Sequence, residues 1–525
     1  MKQAMAMKLN FLHSFWAAAL LLASVSCTRE ELPSAPSEGG VCPLSITVAD
    51  GGYAAADGQT KATENGCRTE FTAGDECGLY IVRGGTVVYN NVKLTATAGA
   101  DGSLTWQPEA GTELGGGLDG ETYCLYCPYQ ADMSGKVDVT ATDAEGFFAP
   151  LVSGWQPKAD QSTYANYTAS DLMTAKGTAA KGTDGSLKLS FSMSHRMAMA
   201  VIEMPPTVYK FTNTDVAIPD YTGGGSSADF TSSAVKPCCI APGTYRCIFN
   251  PASGTATSIT GSYADGWKEF TVTPDGVAAN CCRAYRIDGL NPTEKSYSLQ
   301  VGDYFCRNSI GLWYIIPKAE KPGSECIGAV FYVGQHPNDG SDYSGTGIGK
   351  KNCHGYAVAM KDATTDYCMW GAFGKELGCY PKDGSGNKPD NLSNPGLDWS
   401  GYDWTWKIIN NGARGLFSLN ATEPSGYPAT YYAVADYQDK ISAATGSSGW
   451  FLPSVGQMWE VYRNRDSLFA DKSVATGLRP DCYWSSSEYS SWPGSYVLFV
   501  DSRDGRVYGT GKDYNKGYVR PVLAF

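Results

Sequence analysis

The sequence has 525 residues, of which 12% are aromatic and 18% charged, and it contains 61 glycines and 33 tyrosines. Soluble domains usually carry about 25% charged residues, so this composition favours strands and turns over long charged helices. The formal net charge is −12, and removal of residues 1–27 would take away Lys2 and Lys8 and no acid, which makes it −14. A chain with this negative charge is a poor ligand for nucleic acid or for an anionic membrane surface. The length of the chain predicts two to four domains.

The beginning of the sequence has the pattern of an export signal. An apolar run of about 15 residues, shorter than the ~20 that a membrane-spanning helix needs, is followed by small residues that end at Cys27. Residues 1–27 are therefore predicted to be a lipoprotein signal peptide in which Cys27 receives the lipid, although Ser24 stands where the common lipobox has Leu. The alternatives are an ordinary signal peptide with a chance cysteine, or a membrane anchor. The following Thr28-Arg29-Glu30-Glu31 resembles the tag that directs some bacterial lipoproteins to the outer face of the outer membrane.

Residues 28–44 are rich in Pro, Ser, Glu and Gly and are predicted to form a flexible linker. Short strands bounded by turn residues then follow one another, which is the pattern of a β-sandwich or barrel. The predicted strands are Leu44–Val48, Leu79–Val82, Thr86–Tyr89, Leu104–Trp106 and Thr122–Tyr126. The turn Arg83-Gly84-Gly85 between two of them predicts a β-hairpin.

A series of segments in this block, in their order along the chain, resembles the amino-terminal domain of fimbrillins, the lipoprotein subunits of type V pili. They are Asp75–Tyr80, Asn90–Val92, Trp106, Tyr123–Tyr129, Asp171–Met173 and Leu189–Ile202. The resemblance implies a first fimbrillin-like β domain over residues 45–205, and a second over residues 206–300 would complete the usual layout. His195 interrupts an apolar strand face and is interpreted as a core or sheet-edge histidine, not as a catalyst.

The same resemblance implies a mode of assembly. In type V pili a protease trims the amino-terminal segment of a subunit, and a carboxy-terminal strand of a neighbouring subunit fills the gap. Lys61 and Arg68 lie between the first two strand signals and are the candidate trimming points. Other fimbrillin subunits would be the partners of this chain.

The second block continues the β pattern. Predicted strands lie at Tyr209–Phe211, Tyr245–Phe249, Lys268–Val272 and Ala284–Ile287, with Pro, Gly and Ser between them. No catalytic pattern stands out in this block.

Residues 301–525 form a different block, which holds nine of the thirteen tryptophans. Apolar residues at helical spacing predict a helix over Tyr431–Ile441. Ser454 followed by Gln457 is a capping box, so a second helix is predicted to begin at Val455. Three motifs, Gly449–Ser454, Tyr483–Glu488 and Tyr518–Val522, resemble in that order a C-type-lectin-like domain of bacterial surface adhesins. The resemblance implies an α+β domain whose first and last strands meet and whose long loops carry the binding site.

The predicted fold class is thus mainly β, with two tandem fimbrillin-type β-sandwich domains followed by an α+β C-type-lectin-like domain. Lectins of this fold that use Ca²⁺ carry motifs such as Glu-Pro-Asn, whereas this chain has Glu423-Pro-Ser425. Calcium-dependent sugar binding is therefore in doubt. Flat aromatic faces beside carboxylates can still bind pyranose rings. The candidate ligand-binding residues are Trp399, Tyr402, Asp403, Trp404, Trp406 and Trp492; alternatively, these rings fill a tryptophan-rich core. Glu488 and Arg520 are expected to pair and so to fix the last strand.

The cysteines leave two interpretations open. Sixteen remain besides Cys27, and an even number in an exported chain suggests disulfides, whereas their wide spread suggests buried free thiols. Cys124 and Cys127 would point to opposite faces of a strand, and histidines are few, so no metal site and no cofactor are predicted.

The sequence is compatible with three functions. The first is a minor fimbrillin at a pilus tip, because a chain that carries a domain of about 225 residues after its pilin-like part can accept a donor strand but is poorly placed to give one. The second is a surface lipoprotein that binds a host or microbial glycan or protein and never polymerises. The third is an enzyme, because formylglycine-generating oxidases share the lectin-like fold. Those enzymes need a cysteine pair near the end of the chain, and Cys482 stands alone after Cys379, so no enzyme is predicted.

Overall fold

The computed structural model describes residues 44–56, 70–100, 102–115, 120–181, 186–253, 258–412 and 426–525. Cys27, Lys61, Arg68 and the Glu423–Ser425 motif lie outside these ranges, as does nearly all of the predicted linker. Within the ranges, no helix combines the length and the apolarity needed to cross a bilayer.

The first block is built of short strands joined by turns, and three short helices lie between residues 144 and 168. The strands are β1 (Leu44–Asp50), β2 (Ala54–Ala55), β3 (Glu76–Arg83), β4 (Thr86–Ala98), β5 (Leu104–Pro108), β6 (Glu121–Cys127), β7 (Met173–Lys176), β8 (Thr178–Lys181) and β9 (Leu187–His195). The helices are α1 (Ala144–Phe147), α2 (Ala149–Gly154) and α3 (Tyr164–Thr168). Each strand predicted in this block is present, and Gly84 and Gly85 form the β3–β4 hairpin turn with the positive φ angles that favour glycine.

All of these strands except β2 form one sheet in the order β1-β9-β7-β6-β3-β4-β5, with β8 also paired to β9. At β3 both faces of the sheet are buried, because alternate residues of this strand enter different cores. Leu79 and Ile81 pack with Trp106 in one core, whereas Tyr80 and Val82 pack against the helices in the other. At the end of the sheet, β1 pairs in parallel with β9 from Leu44 opposite Leu187 to Asp50 opposite Met193.

The second block adds smaller sheets. Its strands are β10 (Ala198–Glu203), β11 (Pro206–Phe211), β12 (Tyr221–Gly225), β13 (Cys238–Ala241), β14 (Thr244–Phe249), β15 (Ile259–Tyr263), β16 (Lys268–Val272), β17 (Cys281–Arg286) and β18 (Thr293–Tyr297). The largest of these sheets has the order β13-β14-β10-β17-β2. Two segments before residue 205, β2 and β10, therefore pair with strands of the second block. The predicted boundary at residue 205 stays a prediction.

The carboxy-terminal block mixes strands and helices. Its strands are β19 (Tyr304–Arg307), β20 (Trp313–Ile316), β21 (Cys326–Val333), β22 (Gly355–Ala359), β23 (Cys368–Met369), β24 (Cys482–Glu488), β25 (Tyr496–Asp501), β26 (Val507–Gly511), β27 (Asn515–Gly517) and β28 (Val522–Ala524). Its helices are α4 (Gly401–Lys407), α5 (Pro428–Tyr431), α6 (Tyr437–Lys440) and α7 (Val455–Leu468). Strands predominate over the described residues as a whole, so the mainly β class is confirmed.

Both helices predicted in this block are present. Helix α7 begins at Val455 with the expected capping box, in which Ser454 and Gln457 each bond the backbone of the other. The predicted helix Tyr431–Ile441 is interrupted, because a π-helical turn over Tyr432–Asp436 separates α5 from α6.

Among the described cysteines, Cys306 and Cys326 form a disulfide bond between β19 and β21, and the others are free thiols. Each of the two interpretations of the cysteines therefore holds for part of them.

The last strand does not pair with the first strand of its block, which corrects the expectation from the sequence. The sheet order is β20-β19-β21-β22-β28, so β21 and β22 separate β19 from β28. The reason is that β19 is already paired with β20 on one edge and with β21 on the other, and the last strand pairs with the outer edge of β22. Phe525 still contacts the first strand through its ring, whose centre lies 4.9 Å from that of Phe305.

The segment 518–525 is bonded along both edges. On one side, Ala363 N–H donates to Val519 O and Phe525 N–H donates to Gly355 O. On the other side, Val522 and Phe451 exchange backbone hydrogen bonds of 3.0 and 2.8 Å. The side chains of Val519, Val522 and Phe525 are fully buried. The segment is therefore bonded on both sides, although β28 is the terminal strand of its sheet.

The second block also contributes to the carboxy-terminal core. Ile218, in the connection between β11 and β12, is buried in the cluster that contains Phe305, Trp450 and Phe525. A hydrogen bond of 3.0 Å between Asp215 Oδ2 and His354 Nδ1 lies at the same junction. The two blocks are thus joined by apolar packing as well as by the chain.

We predict that Ile218→Ala lowers the free energy of unfolding of the carboxy-terminal block by about 2–4 kcal/mol, because it leaves a cavity in that core. Urea unfolding followed by near-UV circular dichroism, which the tryptophans of this block dominate, measures the change. Ile310→Ala is the matched control, since Ile310 is exposed and its loss should change the value by less than about 0.5 kcal/mol. Equal effects of the two substitutions would contradict the packing of Ile218.

Candidate functional sites

A buried ion pair connects the end of β24 to the loop 375–379. Lys512 Nζ lies 2.5 Å from Glu488 Oε1, and neither side chain is exposed to solvent. Glu488 also accepts hydrogen bonds from the backbone N–H groups of Leu377 and Cys379, each at 2.9 Å. A buried pair holds together only when such additional bonds replace the lost hydration. The arrangement fixes the loop on the strand, which is a structural role.

The expected pairing of Glu488 with Arg520 is wrong. Arg520 lies beside Asp362, with its Nε 2.8 Å from Asp362 Oδ1, and its terminal nitrogens donate to backbone carbonyls that include Ala359 O at 3.0 Å. The register explains the difference, because Tyr483 bridges Tyr518 in parallel. Arg520 consequently faces a part of β24 that precedes Glu488. The ion pair with Asp362 nevertheless holds the last segment in place, as the sequence led us to expect of Arg520.

Two of the candidate ligand-binding tryptophans lie inside the block. Trp399 is 2% exposed, and its ring stacks on His336 with centres 3.9 Å apart. Trp404 is 8% exposed, and its Nε1 donates to Asp398 Oδ1 at 2.7 Å. Burial raises the pKa of Asp398 to about 6. These contacts place both rings in the aromatic core that the sequence offered as the alternative.

The other candidates on α4 are nearer to the surface. Trp406 is 38% exposed, and its ring centre lies 6.2 Å from that of half-buried Tyr402. Asp403 is half-buried, and burial raises the pKa of its carboxyl, with Asp339 adding to the effect. Helix α4 therefore presents Trp406 to solvent while its neighbours face inward.

Trp492 lies on a different element, the turn between β24 and β25, and is 64% exposed. Two further exposed rings lie close to this turn. Tyr496 has its ring centre 6.5 Å from that of Trp492, and Phe373 precedes Gly374, whose N–H donates to Gly494 O at 3.0 Å. We call Phe373, Trp492 and Tyr496 the aromatic face. Sequence reasoning found only Trp492; Phe373 stands in the glycine-flanked segment Gly371–Gly374, which is a signal of an exposed turn.

A small aromatic pocket on β24–β26 was also missed. Its cavity of about 270 Å³ is lined by rings that include Trp484, Phe499, Tyr508 and Tyr514. Phe499 and Tyr508 stack with centres 5.6 Å apart. Cys482 lines the pocket as well, and burial raises the pKa of its thiol to about 12. A thiol that stays protonated at neutral pH is a poor nucleophile, so this pocket can hold an apolar group but is not equipped for cysteine catalysis.

His195 lies in the core of the first block, as expected from the sequence, and forms a buried network. Its Nε2 lies 2.8 Å from Asp50 Oδ1 and its Nδ1 2.9 Å from Asp171 Oδ2. Tyr53 stacks on the imidazole at 3.7 Å and donates from its hydroxyl to Asp171 at 2.6 Å. Burial opposes the charged imidazole, but the two carboxylates outweigh it and raise the pKa of His195 to about 9. The network ties the end of β1 to β9.

Over the described residues, no group of three or more His, Cys, Asp and Glu side chains is placed to hold a metal ion. The described residues thus form a β-rich structure with an aromatic surface and buried ion pairs.

Residues 60–283 match a protein family described as fimbrillin-like. The match lies within the first two blocks and supports the fimbrillin resemblance over these residues. The carboxy-terminal block lies outside the match, and its C-type-lectin-like character stays a prediction.

The chain is also similar to a protein of Bacteroides ovatus named "Putative fimbrium tip subunit Fim1C", with 27% identity over 557 residues that cover 97% of this chain and 98% of the relative. Among solved structures, a fimbrial protein from Bacteroides ovatus aligns with a TM-score of 0.43 and 23% identity, covering 93% of this chain and all of that one. The fimbrial anchor protein Mfa2 from Porphyromonas gingivalis aligns with a TM-score of 0.17 and 12% identity over 52% of this chain and 96% of its own.

We predict that Lys512→Met lowers the free energy of unfolding by about 3–5 kcal/mol, because it leaves the Glu488 carboxylate buried without its cation. The double variant Lys512→Met, Glu488→Gln should lose less than the sum of the two single losses, since it removes both charges. Chemical denaturation of the four proteins gives the coupling.

Lys388→Met is the control for charge removal, because Lys388 and its partner Glu376 are both exposed and the substitution should leave stability unchanged. Additive losses in the Lys512 and Glu488 cycle would show that the two side chains do not interact.

We predict that the stabilisation from protonated His195 is complete below about pH 6.5, the usual pKa of histidine, and is lost as the pH rises to about 9. The sign follows because the folded state binds this proton more tightly than the unfolded state does. The loss should amount to about 3 kcal/mol. Unfolding free energies of the protein and of His195→Gln, measured from pH 6 to pH 10, should converge as the pH rises.

NMR of protein labelled at histidine Cε1 provides an independent measurement. The resonance that disappears in His195→Gln should titrate near pH 9. Titration of that resonance near pH 6.5 would show that Asp50 and Asp171 do not hold the imidazole in its charged form.

Proposed function

We propose that this chain is a minor subunit at the tip of a type V pilus, where it acts as a cell-surface adhesin. The observation that carries the proposal is the segment 518–525, which is bonded along both edges and buried in the carboxy-terminal block. Freeing it for donation would cost the stability of that block, typically about 5–15 kcal/mol. The similarity to a relative whose name describes a fimbrium tip subunit supports the same assignment.

Acceptance of a donor strand has a natural place in the first sheet. Strand β1 is its terminal strand and pairs with β9 over its full length, and cleavage at Lys61 or Arg68 would separate β1 from the rest of the chain. The edge of β9 would then offer backbone groups from Leu187 to Met193 to an incoming strand, which is recognition by β-augmentation. The vacated space next to Leu189 and Phe191 would accept apolar side chains.

Adhesion is assigned to the carboxy-terminal block. The aromatic face exposes three rings on one side of that block, and Trp406 exposes a fourth on α4. Exposed aromatic clusters are unusual on a surface without a partner, and they suit either a glycan or a protein. The lipid on Cys27 would hold the precursor at the outer membrane until trimming. The alternative is a surface glycan-binding lipoprotein that never polymerises.

Immunogold microscopy with antibodies against residues 301–525 tests the tip assignment. We expect one label per filament, at the end farthest from the cell. Label along the shaft would refute the assignment, and label confined to the cell surface would favour the lipoprotein that does not polymerise. The variant Lys61→Ala, Arg68→Ala is the matched control, since it should keep β1 in place and remove the label from the filaments.

We predict that Cys27→Ser abolishes attachment to the outer membrane, because the thioether-linked lipid is the proposed membrane attachment after signal cleavage. Metabolic labelling with radioactive palmitate, followed by fractionation, measures both the lipid and the location. A Ser variant that still incorporates palmitate and sediments with membranes would contradict the prediction.

A further inference from the structure

A second cleft lies between the second block and the carboxy-terminal block, away from the aromatic face. Its cavity of about 740 Å³ is bounded by β11, β18 and the turn between β15 and β16, and by Ala319 and Glu320 on the other side. This volume falls within the usual range of small-molecule sites. Neither the proposed strand exchange at β1 nor the aromatic face involves this cleft.

The rim of this cleft carries the most exposed tryptophan that the structure describes. Trp267 is 90% exposed at the tip of the β15–β16 hairpin. The preceding residues Ala264, Asp265 and Gly266 have φ angles of 53°, 56° and 87°. Aspartate and glycine adopt this left-handed region more readily than other residues, and hairpin turns use it. The turn thus holds a large ring in water, where it gains nothing from packing.

The floor of the cleft is lined by hydroxyl groups. Ser226 Oγ lies 2.9 Å from Thr207 Oγ1 and 3.1 Å from Thr293 Oγ1, and Thr293 Oγ1 donates to Pro206 O at 3.4 Å. The three hydroxyl hydrogens can all be used along this row, and each oxygen keeps a lone pair that can accept from a sugar hydroxyl.

The charged side chains that line the cleft are three acids and two lysines: Asp265, Glu294, Glu320, Lys268 and Lys295. Lys295 pairs with Asp265 at 3.3 Å, and Glu294 lies 3.5 Å from Lys210, which is outside the lining. The cleft therefore offers no excess of positive charge to an acidic ligand. This distribution favours a neutral ligand rich in hydroxyl groups.

The far wall of the cleft is held in position by Glu320. Its carboxylate accepts from the hydroxyl of Tyr209 at 2.8 Å and from the N–H of Gly224 at 3.2 Å. The neighbouring Gly223 leaves room for this approach, because a Cβ there would lie 2.6 Å from Glu320 Cδ. These bonds join the two blocks across the cleft, so the cleft is formed before any ligand arrives.

We propose that this cleft binds a neutral oligosaccharide, with one pyranose ring stacked on Trp267 and its hydroxyls bonded to the polar floor. The apolar face of a pyranose packs well on an indole ring, and the hydroxyl oxygens of Thr207, Ser226 and Thr293 supply acceptors for the sugar hydroxyls. The site goes beyond the proposed function, because it lies outside the carboxy-terminal aromatic face and does not depend on assembly into a pilus.

A glycan array probed with the full chain tests this site. The array carries neutral oligosaccharides of mannose, galactose, glucose and xylose together with sialylated and sulfated glycans. We expect binding to neutral glycans that Trp267→Ala weakens at least tenfold and Trp267→Phe weakens less. Tyr164→Ala is the control, as it removes an exposed ring that belongs neither to the cleft nor to the aromatic face and should leave this binding unchanged. Trp492→Ala is measured beside it to test the aromatic face.

The proposal is overturned by an array on which no neutral glycan is bound, or on which only sialylated or sulfated glycans are. Binding that Trp267→Ala leaves intact and Trp492→Ala abolishes would place the sugar on the aromatic face and overturn this site as well. Trp267 is exposed, so its variants should fold, and identical far-UV spectra would check this. Immunogold microscopy tests the pilus-tip proposal independently of the glycan array, so either proposal can fail without the other.

Discussion

The carboxy-terminal block depends on one constraint, the burial of residues 518–525 between two sets of backbone partners. Residues 355–363 bond one edge of this segment, and residues 448–451 and 482–484 bond the other. Phe525 fills the space between Phe305 and Trp313. The strands and loops that carry the exposed rings are thus assembled around the last segment, and withdrawing it would leave those elements without a common core.

The first block has the opposite arrangement at β1. That strand has a hydrogen-bonded neighbour, β9, along one edge and lies at the end of its sheet. It is held by Asp50 and Tyr53, which contact the buried His195. A strand bonded along one edge can be exchanged while the rest of the sheet keeps its ladder, whereas a buried segment bonded along both edges cannot. This difference between the two segments is the physical basis for proposing that the chain accepts a strand and does not give one.

Local signals in the sequence were sufficient for much of the fold. The glycine pair at residues 84–85 and the capping box at Ser454 act over a few residues, and both features are present as expected. Partners that are distant in the sequence could not be predicted in the same way. The pairing of Lys512 with Glu488, and of Arg520 with Asp362, depends on strand register and on where the loop 375–379 passes.

The candidate ligand-binding residues show the same limit. A row of aromatic residues from Trp399 to Trp406 does not reveal which rings face inward, because a helix turns successive side chains to different sides. The structure buries Trp399 and Trp404 and exposes Trp406. Phe373 and Tyr496 join Trp492 only through the folding of separate segments, and Trp267 required its hairpin tip to be recognised. Composition and spacing do not show which distant segments lie side by side in the folded chain.

Hydrogen–deuterium exchange on the full chain tests the central claim most directly. If segment 518–525 is locked, the amides of Val522 and Phe525 should exchange only when the whole carboxy-terminal block unfolds, whereas amides on the outer edge of β1 should exchange through local opening. Exchange of residues 518–525 within minutes, at the rate of exposed loops and with the rest of the block still protected, would contradict the account.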